Sequence, residues 1–154
     1  MIEILWRELT SGIPDSTQLV QAIVRMLAAM LLGGIVGLQR EQAGSAAGLR
    51  THILVALGTT LFILASTGGG MSSEGASRVI QGIATGIGFI GAGAILKLSD
   101  TREIKGLTTA AGIWMTAAIG VSVGSGRLGL ALLGALFAWV VLEAIGHLEK
   151  WFKT

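Results

Sequence analysis

No cysteine occurs in the chain, which removes disulfides, thiolate nucleophiles and cysteine metal ligands from consideration and says nothing of redox compartment. Proline occurs once, beside 24 glycines. Collagen and disordered linkers need far more proline than that, whereas closely packed membrane helices tolerate and use glycine. Charge is scarce as well: Asp, Glu, Lys and Arg make up 13% of the residues, against roughly 25% in an ordinary soluble domain. A chain so poor in charge cannot cover a water-facing surface, and with 52% apolar residues its natural solvent is lipid. The net charge of +2 is too small to point to nucleic acid, and the basic isoelectric point reflects a few uncancelled charges and not a basic patch. At 154 residues the chain reads as a single transmembrane domain, 1–154.

Residues 1–18 are polar to mixed, and Pro14, Asp15 and Ser16 read as a turn followed by a helix N-cap. Five apolar segments follow, at 19–38, 50–67, 79–98, 107–123 and 128–146, each about long enough to cross hydrocarbon. Polar or glycine-rich connections separate them, and an amphipathic tail from His147 to Thr154 closes the chain. The expected fold is therefore an all-α membrane protein, a compact bundle of about five transmembrane helices. A cleaved signal is not expected: Arg40 and Glu41 separate the first apolar core from the small residues at Ala43 to Ala47, and further spans follow. Positive charge in short loops sets the orientation. Arg40, Arg50, Lys97, Arg102, Lys105, Lys150 and Lys153 fall on one side; Arg7, Arg78 and Arg127 fall on the other. The richer side is expected in the cytoplasm, with the N-terminus out and the C-terminus in.

Inside lipid, helices associate through van der Waals contact and a few hydrogen bonds, and small residues allow the approach. The first span places Arg25, Ala29, Gly33, Gly37 and Glu41 at four-residue steps. The third carries Gly82, Gly86, Gly88, Gly91 and Gly93; the fourth carries Gly112, Thr116, Gly120 and Gly124; the fifth carries Gly134 and Ala138. These are read as packing positions, and bulk at Gly88 or Gly112 is expected to hold helices apart. Thr85, Thr108, Thr109 and Thr116 can bond backbone carbonyls or neighbouring helices. Gly86-Ile-Gly88-Phe-Ile-Gly91 has the spacing of a dinucleotide fingerprint, yet it lies mid-span with no preceding strand and no βαβ unit, so that reading is rejected.

Few polar residues remain to carry function. Arg25 lies inside the first span, where it either snorkels to the interface or faces the bundle and meets a partner. Glu143 reads as an interfacial residue at a helix end, too far across the membrane to meet Arg25. Arg40, Glu41, Arg50, Thr51 and His52 cluster where the first two spans reach the cytoplasm, and Lys105 and Thr108 approach from the same side. Together they form either a charge-paired functional cap or a simple membrane anchor. His52 and His147 show no metal-ligand spacing, and no serine has the setting of a nucleophile elbow. No catalytic group, no metal site and no cofactor is expected.

Five stretches carry a family resemblance: Met26-Leu-Ala-Ala-Met-Leu-Leu-Gly33, Gly37-Leu-Gln-Arg-Glu41, Ala47-Gly-Leu-Arg-Thr-His52, Gly86-Ile-Gly-Phe-Ile-Gly-Ala-Gly93 and Lys105-Gly-Leu-Thr-Thr-Ala-Ala-Gly-Ile-Trp114. In this order and spacing they resemble the MgtC/SapB family over roughly residues 20 to 125. The resemblance implies a multi-pass bacterial inner-membrane protein tied to growth in low magnesium and, in pathogens, to survival inside macrophages. It further implies a non-enzymatic regulator that binds other membrane proteins, notably the proton-translocating ATP synthase. Many members carry a cytoplasmic C-terminal ACT-like domain, and regulation through such a domain is not expected here. The acidic residue usual in the G-x-E-R motif is Gln39 in this chain. Some virulence-associated members have Asn at the place of Thr108 and a cysteine at that of Met115, so a housekeeping role is as open as one in virulence.

Three readings follow: a regulator acting by helix contact, a small magnesium or other ion transporter or channel, and a structural homo-oligomer, most simply a dimer. Magnesium prefers oxygen ligands, usually with carboxylates, and the spans offer few. The loop charges make one direct prediction: a reporter fused at the C-terminus reads as cytoplasmic, and an extracytoplasmic signal overturns the orientation.

Overall fold

The computed structural model of the chain describes residues 1–10, 15–68, 70, 72–97 and 104–145. Pro14, Leu98, Arg102, Gly146, His147, Lys150 and Lys153, all used in the sequence reading, lie outside the described residues. Six helices follow in order: α1 Ile2–Thr10, α2 Ser16–Gln42, α3 Leu49–Gly68, α4 Ser73–Gly93, α5 Leu107–Gly124 and α6 Leu128–Val140, which continues as a π-helical turn over Val141–Ile145. Between α4 and α5 stand two short strands, β1 Leu96–Lys97 and β2 Ile104–Lys105, paired antiparallel with Leu96 opposite Lys105. The chain is otherwise all-α among the described residues.

The helix ends follow from local sequence. Asp15 holds the extended N-cap conformation before α2, and the Ser72 hydroxyl accepts the Gly75 amide at the start of α4. At the end of α2, Gly44 has φ +70°. Its amide donates to the Glu41 carbonyl, and the Ser45 amide donates to the Arg40 carbonyl. Gly126, with φ +74°, closes α5 in the same pattern, its amide on Val123 and that of Arg127 on Ser122. Both are Schellman closures, which favour glycine at the left-handed position.

Three helices are long and apolar enough to cross a membrane: Ser16–Gln42, Leu49–Thr67 and Leu107–Gly124. Leu128–Ala144 is apolar and shorter. The 21 residues of α4 reach about 31 Å at 1.5 Å per residue, but Ser73, Glu74, Ser77, Arg78 and Gln81 dilute its apolar character.

The helix α3 lies at the centre, with its largest interfaces against α2 and α5; α6 packs on α5 and α2, and α4 packs chiefly on α5. Two clusters fill the interior. One joins Ala29, Leu32, Val36, Ala56, Ile119 and Val123 with Ala131, Ala135 and Ala138. The other joins Ala47, Ile63, Ile83, Ile87, Ile113 and Ala117. Close approach at glycine makes these clusters compact. A Cβ on Gly33 would stand 2.8 Å from both the Ala56 Cβ and the His52 carbonyl oxygen; one on Gly37 would stand 2.8 Å from the Leu49 Cα. On the other flank of α3, a Cβ on Gly120 would collide with the Thr59 hydroxyl and the Ala56 carbonyl, and one on Gly124 would stand 2.7 Å from the Ile63 Cβ. The Thr60 hydroxyl then reaches the Gly120 carbonyl at 2.8 Å, a buried bond between helices. Gly91 meets Ala110 at ordinary contact distance, and Gly112 faces the His52 ring and the Arg40 side chain.

The packing expected of the third glycine-rich segment needs correction within a single chain. Among the described residues, a Cβ on Gly82, Gly86, Gly88 or Gly93 would meet nothing within 4 Å. The helix α4 is a peripheral helix that buries Ile83, Ile87 and Gly91, which leaves Gly82, Gly86 and Gly93 on one open flank and Gly88 on the other. Gly120→Ala and Gly124→Ala are therefore expected to lower stability in detergent by about 1–3 kcal/mol, the usual cost of overpacking. Gly82→Ala and Gly88→Ala are expected to leave the unfolding midpoint of the isolated chain unchanged or slightly raised.

Candidate functional site

Burying an ion among helices is costly unless hydrogen bonds and opposite charge surround it. The end of α2 does this with Arg40. The residue is 7% exposed, as is its neighbour Gln39. Arg40 Nε donates to Gln39 Oε1 at 2.8 Å. Gln39 Nε2 in turn donates to Glu143 Oε2 at 3.0 Å and to the Leu142 carbonyl at 3.2 Å. Gln39 thus links the guanidinium to a carboxylate on the π-helical turn, whose charge also acts on Arg40 through space.

His52 lies in the first turn of α3 and is fully buried. Its Nδ1 stands 2.7 Å from the Thr116 hydroxyl. Thr116 donates its own proton to the Gly112 carbonyl at 2.9 Å, so the hydroxyl accepts from Nδ1–H and the proton is assigned to that nitrogen. Among the described residues Nε2 has no hydrogen-bond partner; the Ala47 carbonyl lies near the ring without reaching bonding geometry. The His52 Cε1 and Arg40 Cδ both converge on Gly112, 3.5 and 3.7 Å from where its Cβ would be. A methyl there would make ordinary contact with both, and a larger side chain would press on them.

The remaining cap residues, and Thr109 of the intramembrane polar set, divide between interior and surface. Thr109 is buried and shares a 2.9 Å hydrogen bond with Ser45. Thr51 is half-buried. Arg50, Glu41, Lys105 and Thr108 are exposed. Glu41 still has a structural partner: its Oε2 accepts the Leu49 amide at 2.8 Å and sits against Gly48, at the N-terminus of α3 where a carboxylate is favoured. Thr108 and Gly112 border an apolar cleft of about 270 Å³ closed by Met115, Phe137 and Leu142. Thr85 bonds the Gln81 carbonyl of its own helix on the exposed side of α4.

Arg25 lies at the other end of the bundle. Its Nη1 donates to the Gly124 carbonyl at 2.8 Å, and its guanidinium lies over Gly126. A cation there answers the unpaired carbonyls and the negative dipole end of α5. Of the two readings of Arg25, the geometry is that of the residue facing the bundle. Glu143 was visible in sequence only as a helix-end residue. A sharper signal lay in its isolation, for no other acidic residue occurs between Glu103 and Glu149, and a buried arginine on another span needs one. Among the described residues no group of three or more His, Cys, Asp or Glu is placed to hold a metal ion.

Buried polar links at the ends of a glycine-packed helical bundle define a membrane protein whose charges serve helix-to-helix contacts. Comparison places it further. The model of the MgtC family matches residues 26–151, and the chain belongs to that family. Protein SrpB of Synechococcus elongatus is 43% identical over 137 residues, covering 82% of this chain and 75% of SrpB. A protein described as a putative magnesium transporter, YhiD of Escherichia coli K12, is 41% identical over 133 residues, 82% of this chain and 61% of its own length. Protein MgtC of Salmonella typhimurium strain LT2 is 43% identical over 114 residues, 74% of this chain and 48% of MgtC. The chain thus spans about half to three quarters of these relatives. No solved structure matches.

Gln39→Leu strips the Arg40 Nε of its acceptor and Glu143 of a donor, and Thr116→Val strips the His52 Nδ1. Each is expected to cost about 1–3 kcal/mol, the penalty of a buried unsatisfied group, read as a lowered unfolding midpoint in detergent. Arg50→Ala, at an exposed position, is expected to stay within about 0.5 kcal/mol of the parent.

Proposed function

We propose that this protein is a non-enzymatic regulator of the bacterial inner membrane that acts by direct helix contact with a partner membrane protein in adaptation to low magnesium. In this reading α4 and α6 join the three long apolar helices as the fourth and fifth spans. The N-terminus faces out, and Arg40, Glu41, Arg50, Thr51, His52, Lys105 and Thr108 mark the cytoplasmic end. The observation that carries it is the outward flank of α4 that bears Gly82, Gly86 and Gly93, where a Cβ would meet nothing within 4 Å among the described residues. In lipid such a face gives its own chain no packing, and small residues of this kind let a second helix approach closely. Beside it runs an apolar groove of about 440 Å³ between Phe62 of α3 and Ile83, Ile87 and Ile90 of α4. The partner is a transmembrane helix of another protein, and the family resemblance names the proton-translocating ATP synthase as the first to test.

A second reading, transport of magnesium or another ion, is supported by the name of the relative YhiD and by the buried Arg40–Gln39–Glu143 link. Against it, magnesium seeks several oxygen ligands, and the Arg40 charge beside a single carboxylate repels a divalent cation.

The absence of cysteine makes the test clean. With Gly82→Cys or Gly86→Cys, thiol cross-linking in native membranes is expected to trap a partner, and Ala29→Cys, buried inside the chain, is expected to trap none. Equal yields at the two kinds of site would count against the regulator. A band at twice the chain mass would assign the face to a homodimer. Magnesium flux in liposomes holding the purified protein alone would favour the transporter.

A further inference from the structure

The helix α1 Ile2–Thr10 has no substantial interface with the other described elements, and it takes no part in the function proposed above. Its side chains are nonetheless sorted. At 100° per residue, Leu5, Ile2 and Trp6 share one arc of about 100°, while Glu3, Arg7 and Glu8 lie beyond its edges, with Ile4 the one apolar residue between Arg7 and Glu8. Ile2 is 84% exposed, Leu5 58% and Trp6 69%. An apolar arc of this kind on a nine-residue helix is not left in water without reason.

What lies within reach is fixed by chain geometry. Residues 11–15 are all that separate α1 from α2, so even at full extension α1 ends within about 20 Å of the first turn of α2, at roughly 3.3–3.6 Å per residue. That turn opens the helix Ser16–Gln42, which is long and apolar enough to cross a membrane, and Leu19, Val20, Ile23 and Val24 on it are all exposed. The nearest apolar phase is therefore the lipid that surrounds the start of α2. Tryptophan favours the headgroup level of a bilayer, and an amphipathic helix with its apolar face one side and charges on the other lies flat in that layer.

We propose that α1 is an interfacial anchor: its Leu5–Ile2–Trp6 face lies in the boundary between headgroups and acyl chains on the side where α2 enters the membrane. Glu3, Arg7 and Glu8 give the helix mixed charge, so apolar contact drives the docking and anionic lipid is not required. The helix sets the depth of α2 and limits its tilt.

Single-cysteine variants of the full chain test this, since no native cysteine interferes. Ile2→Cys, Leu5→Cys, Glu3→Cys and Arg7→Cys would each carry a nitroxide, with the protein alone in phosphatidylcholine vesicles. Collision with oxygen, which concentrates in lipid, is compared with collision with a water-soluble nickel chelate. The expected result is that oxygen dominates at positions 2 and 5 and the chelate at positions 3 and 7. Chelate dominance at all four positions would place α1 in water and overturn the proposal. Labels at positions 2 and 5 that neither reagent reaches would show the face covered by protein, a second copy or the bundle itself, and would overturn it equally.

Discussion

The whole arrangement depends on missing Cβ atoms where three helices touch. Gly33 and Gly37 let α2 lie against Leu49, His52 and Ala56, and Gly120 and Gly124 let α5 lie against Ala56, Thr59, Thr60 and Ile63 on the opposite flank of α3. Water does not drive these helices together, because lipid is as apolar as their side chains. Contact distance decides instead. Each short approach adds dispersion contacts that a longer separation forfeits, and it brings the Thr60 hydroxyl within reach of the Gly120 carbonyl.

The polar residues depend on the same closeness. Arg25 can reach the Gly124 carbonyl only because the ends of α2 and α5 converge. His52 reaches Thr116 across an interface in which Gly112 leaves the room. The Arg40–Gln39–Glu143 link ties α2 to the π-helical turn at the far end of α6. The bundle is thus pinned at both ends by buried polar bonds, and its middle is held by backbone contact. Charges placed in this way fix helix register and position. Its periphery, in contrast, is left unfinished: α4 turns glycines outward and α1 turns out an apolar arc.

Much of this was legible in the residues. Hydropathy located the helix Leu49–Gly68 and the helix Leu107–Gly124 to within a residue at either end, since both are mostly apolar and bounded by glycine or by charge. It misplaced α4, expected over 79–98 and found over Ser73–Gly93, because Ser72 caps a first turn made of polar residues that hydropathy does not count. The helix α1 escaped notice for a related reason: nine residues of mixed character carry no apolar run, and only their angular sorting marks them. The stripe at Gly33 and Gly37 declared its role through four-residue spacing. The same spacing at Gly82 and Gly86 looked identical and faces outward, because spacing shows that a helix has a small face and not which neighbour covers it. Gln39 and Glu143 were invisible as partners, being 104 residues apart, and their contact exists only once α6 folds back along α2.

The central claim concerns backbone contact between α2 and α3, and a double-mutant cycle at Gly33 and Ala56 probes it most directly. A Cβ on Gly33 meets the Ala56 Cβ at 2.8 Å, so Gly33→Ala should be strongly destabilising alone and less so when Ala56→Gly has opened the space. The predicted coupling is about 0.5–3 kcal/mol in favour of the double variant, the range found for residues in contact. Strict additivity of the two single effects would mean that these helices do not touch there, and the account built on that contact would fail.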